Sequence, residues 1–157
     1  MNQMSRDVTA GAVGGLAGGI VLTGAMMAAE RMGVDRPLPV KVERWVAYHA
    51  GADREALKRD PDAREEAIAY GGHLAASMAL GAAFGAMQGR VDISPTVSGL
   101  LFGLGVHAIN LGLIGPALTI TKKPWNKSAG THAGQLAMHA VFGVVAALVA
   151  RNIARRL

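Results

Sequence analysis

The stretch VTAGAVGGLAGGIVLTGAMMAA, Val8–Ala29, decides how this chain folds. It carries no charged side chain, and it is long enough to cross a bilayer, because a transmembrane helix needs about 20 mostly apolar residues. Three more charge-free runs of this kind follow, at Ala67–Gly89, Ile93–Thr121 and Ser128–Ala150. The sequence therefore predicts a single all-α domain over residues 1–157, an integral membrane bundle of four transmembrane helices.

The overall composition agrees with a membrane location. Charged residues make up only 17% of the chain and apolar residues 51%, whereas soluble domains usually carry about a quarter charged residues. There is no cysteine, which excludes disulfides, thiolate metal sites and iron–sulfur clusters. The net charge is +5, and the basic residues flank the apolar runs. They do not form a basic stripe interleaved with aromatic residues. This distribution indicates contact with anionic lipid headgroups and not with nucleic acid.

The predicted spans cover residues 8–30, 67–89, 95–120 and 130–151. The first apolar run is longer than the roughly 7–15 residues of a secretory signal core, so we expect it to be a membrane anchor and the first helix of the bundle. The predicted localisation is multi-pass, in a bacterial inner membrane. The two loops on one side carry eleven Lys and Arg and the opposite side five. The longer loop is balanced by acidic residues, so the in/out topology stays open.

A polar loop, residues 31–66, separates the first two spans. Its prolines at Pro37 and Pro39 favour an extended or turned entry. The periodicity of Val40–Ala50 then predicts a short helix lying on the membrane, with Trp45 and Tyr48 at the boundary with water. We expect Asp60 or Asp62 to cap the second span.

Small residues recur every four positions in each run and form stripes, and the polar side chains of the runs lie on these stripes. In the first run the stripe is Gly11, Gly15, Gly19 and Thr23. Residues three and four apart share one helix face, and small residues let membrane helices pack closely. We therefore expect an inward-facing polar cluster formed by Glu30, His73, His107, Asn110, Gln135 and His139.

The position of each histidine along its run predicts its depth. His107 and His139 lie near the middle of their runs and should approach each other, whereas His73 and Glu30 should lie toward one surface. An ionisable residue at membrane depth is a candidate functional site.

Two simpler interpretations compete with a functional site. The histidines can serve as hydrogen-bonding glue between helices, with partners Asn110, Gln135 or Ser77. Glu30 can be an ordinary boundary carboxylate that pairs with Arg31 or with a basic residue of the loop.

Several short segments resemble the YagU-like family of small bacterial inner-membrane proteins. They are HLAAS at His73–Ser77, GLLFGLGVH at Gly99–His107, MHAVFG at Met138–Gly143, and Ala29-Glu30 followed by Pro37–Pro39. The chain departs from that family in being shorter, in having fewer aromatic residues and in its reduced third loop. The resemblance implies a helical inner-membrane protein with Glu30, His73, His107 and His139 at the family's polar positions. It implies no reaction.

The sequence contains no nucleophile–base set, phosphate-binding loop or His-Glu-x-x-His pattern. It favours a non-enzymatic accessory, structural or stress-related module that packs with its own copies or within a larger membrane complex.

Two alternatives stay open. The first is a haem or metal protein, with the metal ligands taken from His107, His139, His73 and Glu30. The second is a proton-coupled channel or transporter formed by a homo-oligomer, with a helix break at Gly112–Pro116. Our first expectation is that no cofactor is bound.

Overall fold

The computed structural model describes residues 2–34, 36–91 and 93–157. The five helices of this part of the chain are α1 (Gln3–Arg31), α2 (Leu38–His49), α3 (Ala63–Gln88), α4 (Pro95–Ala117) and α5 (Ala129–Ala154). No strand occurs among the described residues. All of these helices except α2 are long and apolar enough to cross a membrane. The predicted all-α bundle with four candidate spans is confirmed.

Local capping explains why two helices begin before their apolar runs. The side chain of Asn2 accepts a hydrogen bond from the Ser5 amide at 2.8 Å and starts α1. Asp62 caps α3, as predicted for one of the two aspartates, and forms a reciprocal capping box with Glu65. Capping groups satisfy amides that have no partner inside the helix, so both helices extend beyond the membrane-length core.

The third span ends earlier than expected. α4 stops at Ala117 and not near residue 120, and Thr119 then adopts a left-handed backbone conformation with φ 59°. Within α4, the segment Ala108–Ile114 is a π-helix. Wider π-helical turns interrupt regular α-helices and are frequent at functional sites. The predicted break in this span therefore begins before Gly112, directly after His107.

The helices pack in the order α3, α1, α5, α4. α1 contacts α3 on one side and α5 on the other, and α5 also packs along α4. α3 and α4 meet through the stacked rings of Phe84 and Phe102, whose centroids are 4.4 Å apart. The apolar core between α1, α4 and α5 is formed by Leu22, Val106 and Phe142.

Backbone contacts at glycines join the helices. A Cβ atom built on Gly15 would overlap the carbonyl oxygen of Ser77 on α3, and one built on Gly81 would overlap that of Gly11. On the opposite face of α1, a Cβ at Gly14 would overlap the carbonyl of Ala146 on α5. Helix α1 therefore uses two glycine faces, one for each neighbour, and the backbones touch directly.

The outer surface of the bundle is apolar. Leu113, Leu101 and Ile68 on the spanning helices are 65%, 60% and 58% exposed. Such exposure would be costly in water for so many large side chains, whereas hydrocarbon tails cover them without penalty. This surface and the length of the helices fit a multi-pass membrane protein.

Glu65 fixes the polar loop to the start of α3. Both of its carboxylate oxygens accept hydrogen bonds from Arg44 of α2, at 3.0 and 3.2 Å. Both also accept from Arg59, at 2.9 and 2.8 Å. Because bidentate arginine–carboxylate pairs are directional, this network sets the position of α2 against α3.

Two glycines of α4 provide a matched test of the close packing. A Cβ at Gly103 would overlap the His139 carbonyl, whereas one at Gly105 would meet nothing within 4 Å. We expect Gly103→Ala to lower the free energy of unfolding by about 1–3 kcal/mol, the usual cost of overpacking. Gly105→Ala should leave it unchanged or raise it by up to about 1 kcal/mol. Equilibrium unfolding in mixed micelles measures both, and equal effects of the two variants would contradict the packing described.

Candidate functional site

The candidate site is a pair of histidines between α4 and α5. The ring centroids of His107 and His139 lie 5.1 Å apart, with the rings inclined at 70°. The two residues are only 9% and 8% exposed. The structure thus brings together the two mid-span histidines that the sequence places at equal depth.

The glycine contacts of α4 and α5 determine where these rings lie. Gly99, Gly103 and His107 follow one another at four-residue spacing on the face of α4 that meets α5. The backbone of Gly103 contacts the carbonyl of His139. Since that contact allows no side chain at Gly103, it fixes the height of one helix against the other and places the two rings side by side.

The hydrogen bonds of the two rings differ. Nδ1 of His139 lies 2.8 Å from the Gln135 carbonyl oxygen one turn earlier on α5. A carbonyl can only accept, so Nδ1 carries the proton and Nε2 of a neutral ring keeps its lone pair. Nδ1 of His107 is buried without a hydrogen-bond partner among the described residues. Leaving a buried polar atom unpaired costs free energy, so this nitrogen requires an explanation.

His73 and Glu30 lie on a different seam, between α1 and α3. Nδ1 of His73 lies 2.9 Å from Oγ1 of Thr23. The hydroxyl of Tyr70 donates to the Glu30 carboxylate at 3.3 Å. Both bonds connect two helices, so the polar groups of this seam act as links between α1 and α3.

A lysine from the loop before α5 reaches the polar end of that helix. Nζ of Lys127 donates to Oε1 of Gln135 at 3.4 Å. Partial burial, together with the positive charge of Lys41, lowers the pKa of the Lys127 amine below its usual value. The lysine therefore releases its proton more readily than a fully exposed one.

The partners expected for the histidines were wrong in three cases. His73 bonds to Thr23 and not to Ser77, because Ser77 lies pressed against the backbone of α1 at Gly15. His139 uses the main-chain carbonyl of Gln135 on its own helix and not a side chain across the bundle. Asn110 forms no hydrogen bond with His73, His107 or His139 in the described chain, since the π-helical segment places it half-buried beyond His107.

The expected partners of Glu30 were wrong as well. Its carboxylate accepts from Tyr70 and, within the described chain, forms no ion pair with Arg31 or a loop residue. Tyr70 and His73 lie on the same face of α3, which packs against α1. The hydroxyl of Tyr70 is therefore closer to the Glu30 carboxylate than the charged groups of the loop are.

The predicted six-residue cluster divides into two seams. His107, His139 and Gln135 lie between α4 and α5, whereas His73 and Glu30 lie between α1 and α3. Among the residues that the structure describes, no three histidine or carboxylate side chains converge on one metal position.

Thr23, Tyr70 and Lys127 were not selected from the sequence as site residues. Thr23 continues the Gly11–Gly15–Gly19 stripe and Tyr70 precedes His73 by one helical turn, so helical spacing was the available signal. Lys127 carries no such signal because it lies in a loop.

No family model, curated protein or solved structure matches this chain.

The two seams predict different responses to the loss of a polar group. In a double-mutant cycle, Thr23→Val and His73→Leu should show a coupling energy of about 0.6–2 kcal/mol, as for interhelical hydrogen bonds in membranes. His107→Leu should change the free energy of unfolding by less than about 1 kcal/mol, because an unpaired buried nitrogen is removed. Unfolding in mixed micelles measures both. A loss for His107→Leu as large as that for Thr23→Val would show that His107 has a partner.

Proposed function

We propose that this chain is a non-catalytic membrane module, an accessory or structural protein of the bacterial inner membrane, and a relative of the YagU-like proteins. The observation that supports this most is the pairing of the polar side chains of the α1–α3 seam. Thr23 with His73 and Tyr70 with Glu30 form links between packed helices and do not surround a substrate space.

The cavities of the described chain agree with this proposal. Two cavities of the described chain lie at helix ends, one beside Arg6 and Arg151 and one beside Arg36 and Trp45. Neither is lined by His73, His107 or His139. An enzyme or carrier usually places its titratable groups in a concave pocket, and here the titratable groups of the spans lie inside helix contacts.

Proton flux distinguishes this proposal from a channel or transporter. In proteoliposomes with an imposed pH gradient, we expect the wild-type protein to dissipate the gradient no faster than empty liposomes. A variant with His73, His107 and His139 all replaced by leucine should behave in the same way. A wild-type flux above the empty-liposome rate that the triple variant abolishes would overturn the proposal of an accessory or structural module and support a proton relay.

An accessory module needs a surface for another protein, and α3 offers one. Gly71 and Gly72 are adjacent, and neither has an atom within 4 Å of a Cβ position. They therefore form a larger open small-residue surface than a single open glycine such as Gly105, and such surfaces pack against a second helix. We propose that the occupant is a second copy of this chain, because the same helix already packs in this manner within the bundle through Gly81 and Gly85.

The number of copies in a lipid bilayer tests this proposal. Single-molecule photobleaching in dilute liposomes should show dimers for the wild type. Gly72→Leu should shift the population to monomers without lowering the stability of the bundle, since its side chain enters open space. Gly105→Leu on α4, which is equally open within the chain, serves as the matched control and should remain dimeric. Monomers of the wild type at all protein-to-lipid ratios would contradict self-association.

A metal ion at the histidine pair is the second candidate function. The bond from Nδ1 of His139 to the Gln135 carbonyl is the outer contact that commonly orients a metal-binding histidine and leaves Nε2 free. The unpaired Nδ1 of His107 lies in the ring next to it. Imidazole pairs suit zinc or copper. A porphyrin does not fit between α4 and α5 here, because Gly103 and His139 are in backbone contact.

Metal analysis of the purified protein decides this second candidate. If the pair binds a metal, zinc or copper should titrate at one equivalent per chain, and His107→Ala and His139→Ala should each abolish that binding. His49→Ala, which changes an exposed histidine of α2, should retain it. Wild-type protein that binds neither metal, and has no haem absorbance, would remove this candidate.

A further inference from the structure

The other end of the bundle contains a cavity that the histidine seams do not explain. It has a volume of about 410 Å³ and lies where α1 begins and where α3 and α5 end. Its polar lining consists of Arg6, Asp7, Gln88, Arg151 and Arg155. We call it the arginine cavity.

The cations of this cavity are only partly neutralised. Arg6 lies beside the single aspartate, with Nε 3.4 Å from Oδ1 of Asp7. The guanidinium groups of Arg151 and Arg155 form no ion pair or hydrogen bond with any other described residue. Arg151 lies in the last turn of α5 and Arg155 is the C-cap residue of that helix, still in helical backbone conformation, so the two arginines share one face. The cavity thus presents two unpaired guanidinium groups.

The second cavity of the chain provides a contrast. It is also rich in arginine, but Arg36 donates to Asp60 at 2.6 Å and Arg44 binds the Glu65 carboxylate. These two cations have anionic partners within the described chain, and a third, Arg54, lies over the ring of Tyr48. The arginine cavity differs from this one because two of its arginines, Arg151 and Arg155, have neither an anionic nor an aromatic partner among the described residues.

The surrounding sequence also leaves this end positively charged. Residues 1–7, 90–92 and 151–157 carry five arginines, and their acidic side chains are Asp7 and Asp92. The carboxyl ends of α3 and α5 add partial negative charge here, and the amino ends of α1 and α4 add partial positive charge. These contributions offset each other, so the excess of arginine remains. An external anion is therefore favoured at this end.

The depth of the cavity identifies the source of that anion. The apolar run of α1 begins at Val8 and that of α5 ends at Ala150, so Arg6 and Arg151 lie at the level of the lipid headgroups. The floor of the cavity is closed by Ala10, Gly85 and Ala150, which are buried where α1 contacts α3 and α5. Only the headgroup of a lipid would therefore enter the cavity, and its acyl chains would lie along the apolar outer surface of the bundle.

We propose that the arginine cavity binds the phosphate headgroup of an anionic phospholipid, with Arg151 and Arg155 as the charged ligands. Guanidinium groups bind phosphate oxygens through two parallel hydrogen bonds. Gln88 already donates to Oγ of Ser98 at 3.0 Å, so it forms the wall of the cavity and is not a ligand. The lipid would bridge α1 and α5 at the surface of the membrane.

Lipid titrations followed by native mass spectrometry test this site. Purified protein is titrated in detergent with phosphatidylglycerol and with phosphatidylethanolamine of the same acyl chains. We expect a defined first binding event that is much tighter for phosphatidylglycerol. Arg151→Gln and Arg155→Gln should each weaken it by roughly fivefold, and the double variant by roughly twenty-five-fold, since each variant removes a direct hydrogen bond from a guanidinium group to the phosphate.

Two arginines outside the cavity are matched controls. Arg156 follows Arg155 directly but does not line the cavity, and Arg90 donates to the Ala86 carbonyl on α3. Arg156→Gln and Arg90→Gln should change the affinity by less than about twofold, because they alter only the general surface charge.

Three results would overturn the proposal. Equal affinity for the two lipids would exclude a headgroup site, and this comparison needs only the wild-type protein. An effect of Arg156→Gln as large as that of Arg155→Gln would show general electrostatic attraction. Displacement of the lipid by millimolar inorganic phosphate would show a site for a small anion and not for a phospholipid.

Discussion

Direct backbone contact between helices is the constraint on which this structure depends. Lipid tails are as apolar as the outer side chains of the bundle, so helices in a membrane gain little from burying Leu or Val and associate through close packing. Glycines allow that packing because the main chains of α1 and α3 meet at Gly15 and Gly81, and those of α4 and α5 at Gly103. Any side chain at these positions would separate the helices. The bundle is therefore held together because these glycines place no side chain between the two backbones.

The same contacts determine the chemistry of the interior. Since the backbone of Gly103 contacts the His139 carbonyl, the position of α4 along α5 is fixed. This fixed position places the rings of His107 and His139 beside each other. A π-helical segment, Ala108–Ile114, follows His107, and the span ends at Ala117. Between α1 and α3, the hydroxyl groups of Thr23 and Tyr70 form hydrogen bonds with His73 and Glu30, respectively. Polar groups in hydrocarbon need such partners because water is absent. The histidine without one is consequently the most informative group of the interior.

The two ends of the bundle are built differently. At the end where α3 begins, arginines and carboxylates neutralise each other around Glu65, which makes a rigid polar cap. At the end where α5 terminates, Arg151 and Arg155 have no acidic partner in the described chain. Charge that the protein does not balance must be balanced by its surroundings, and the lipid site proposed above would supply that balance through an anionic headgroup. The asymmetry thus connects the fold of a small bundle to the lipid that surrounds it.

The sequence by itself determined the helical spans, their small-residue faces and the pairing of the mid-span histidines. These follow from length, hydropathy and four-residue spacing, which are properties of a single helix. It did not determine which seam each polar residue joins, and so His73 and Glu30 were grouped with His107. The hydrogen-bond partner of a polar residue depends on which helix packs beside it. Neither the residue spacing nor the hydropathy of one helix shows which helix that is. Only the tertiary structure decided that Thr23 pairs with His73, that Nδ1 of His107 has no hydrogen-bond partner among the described residues, and that Arg6 of α1 lines the same cavity as Arg151 of α5.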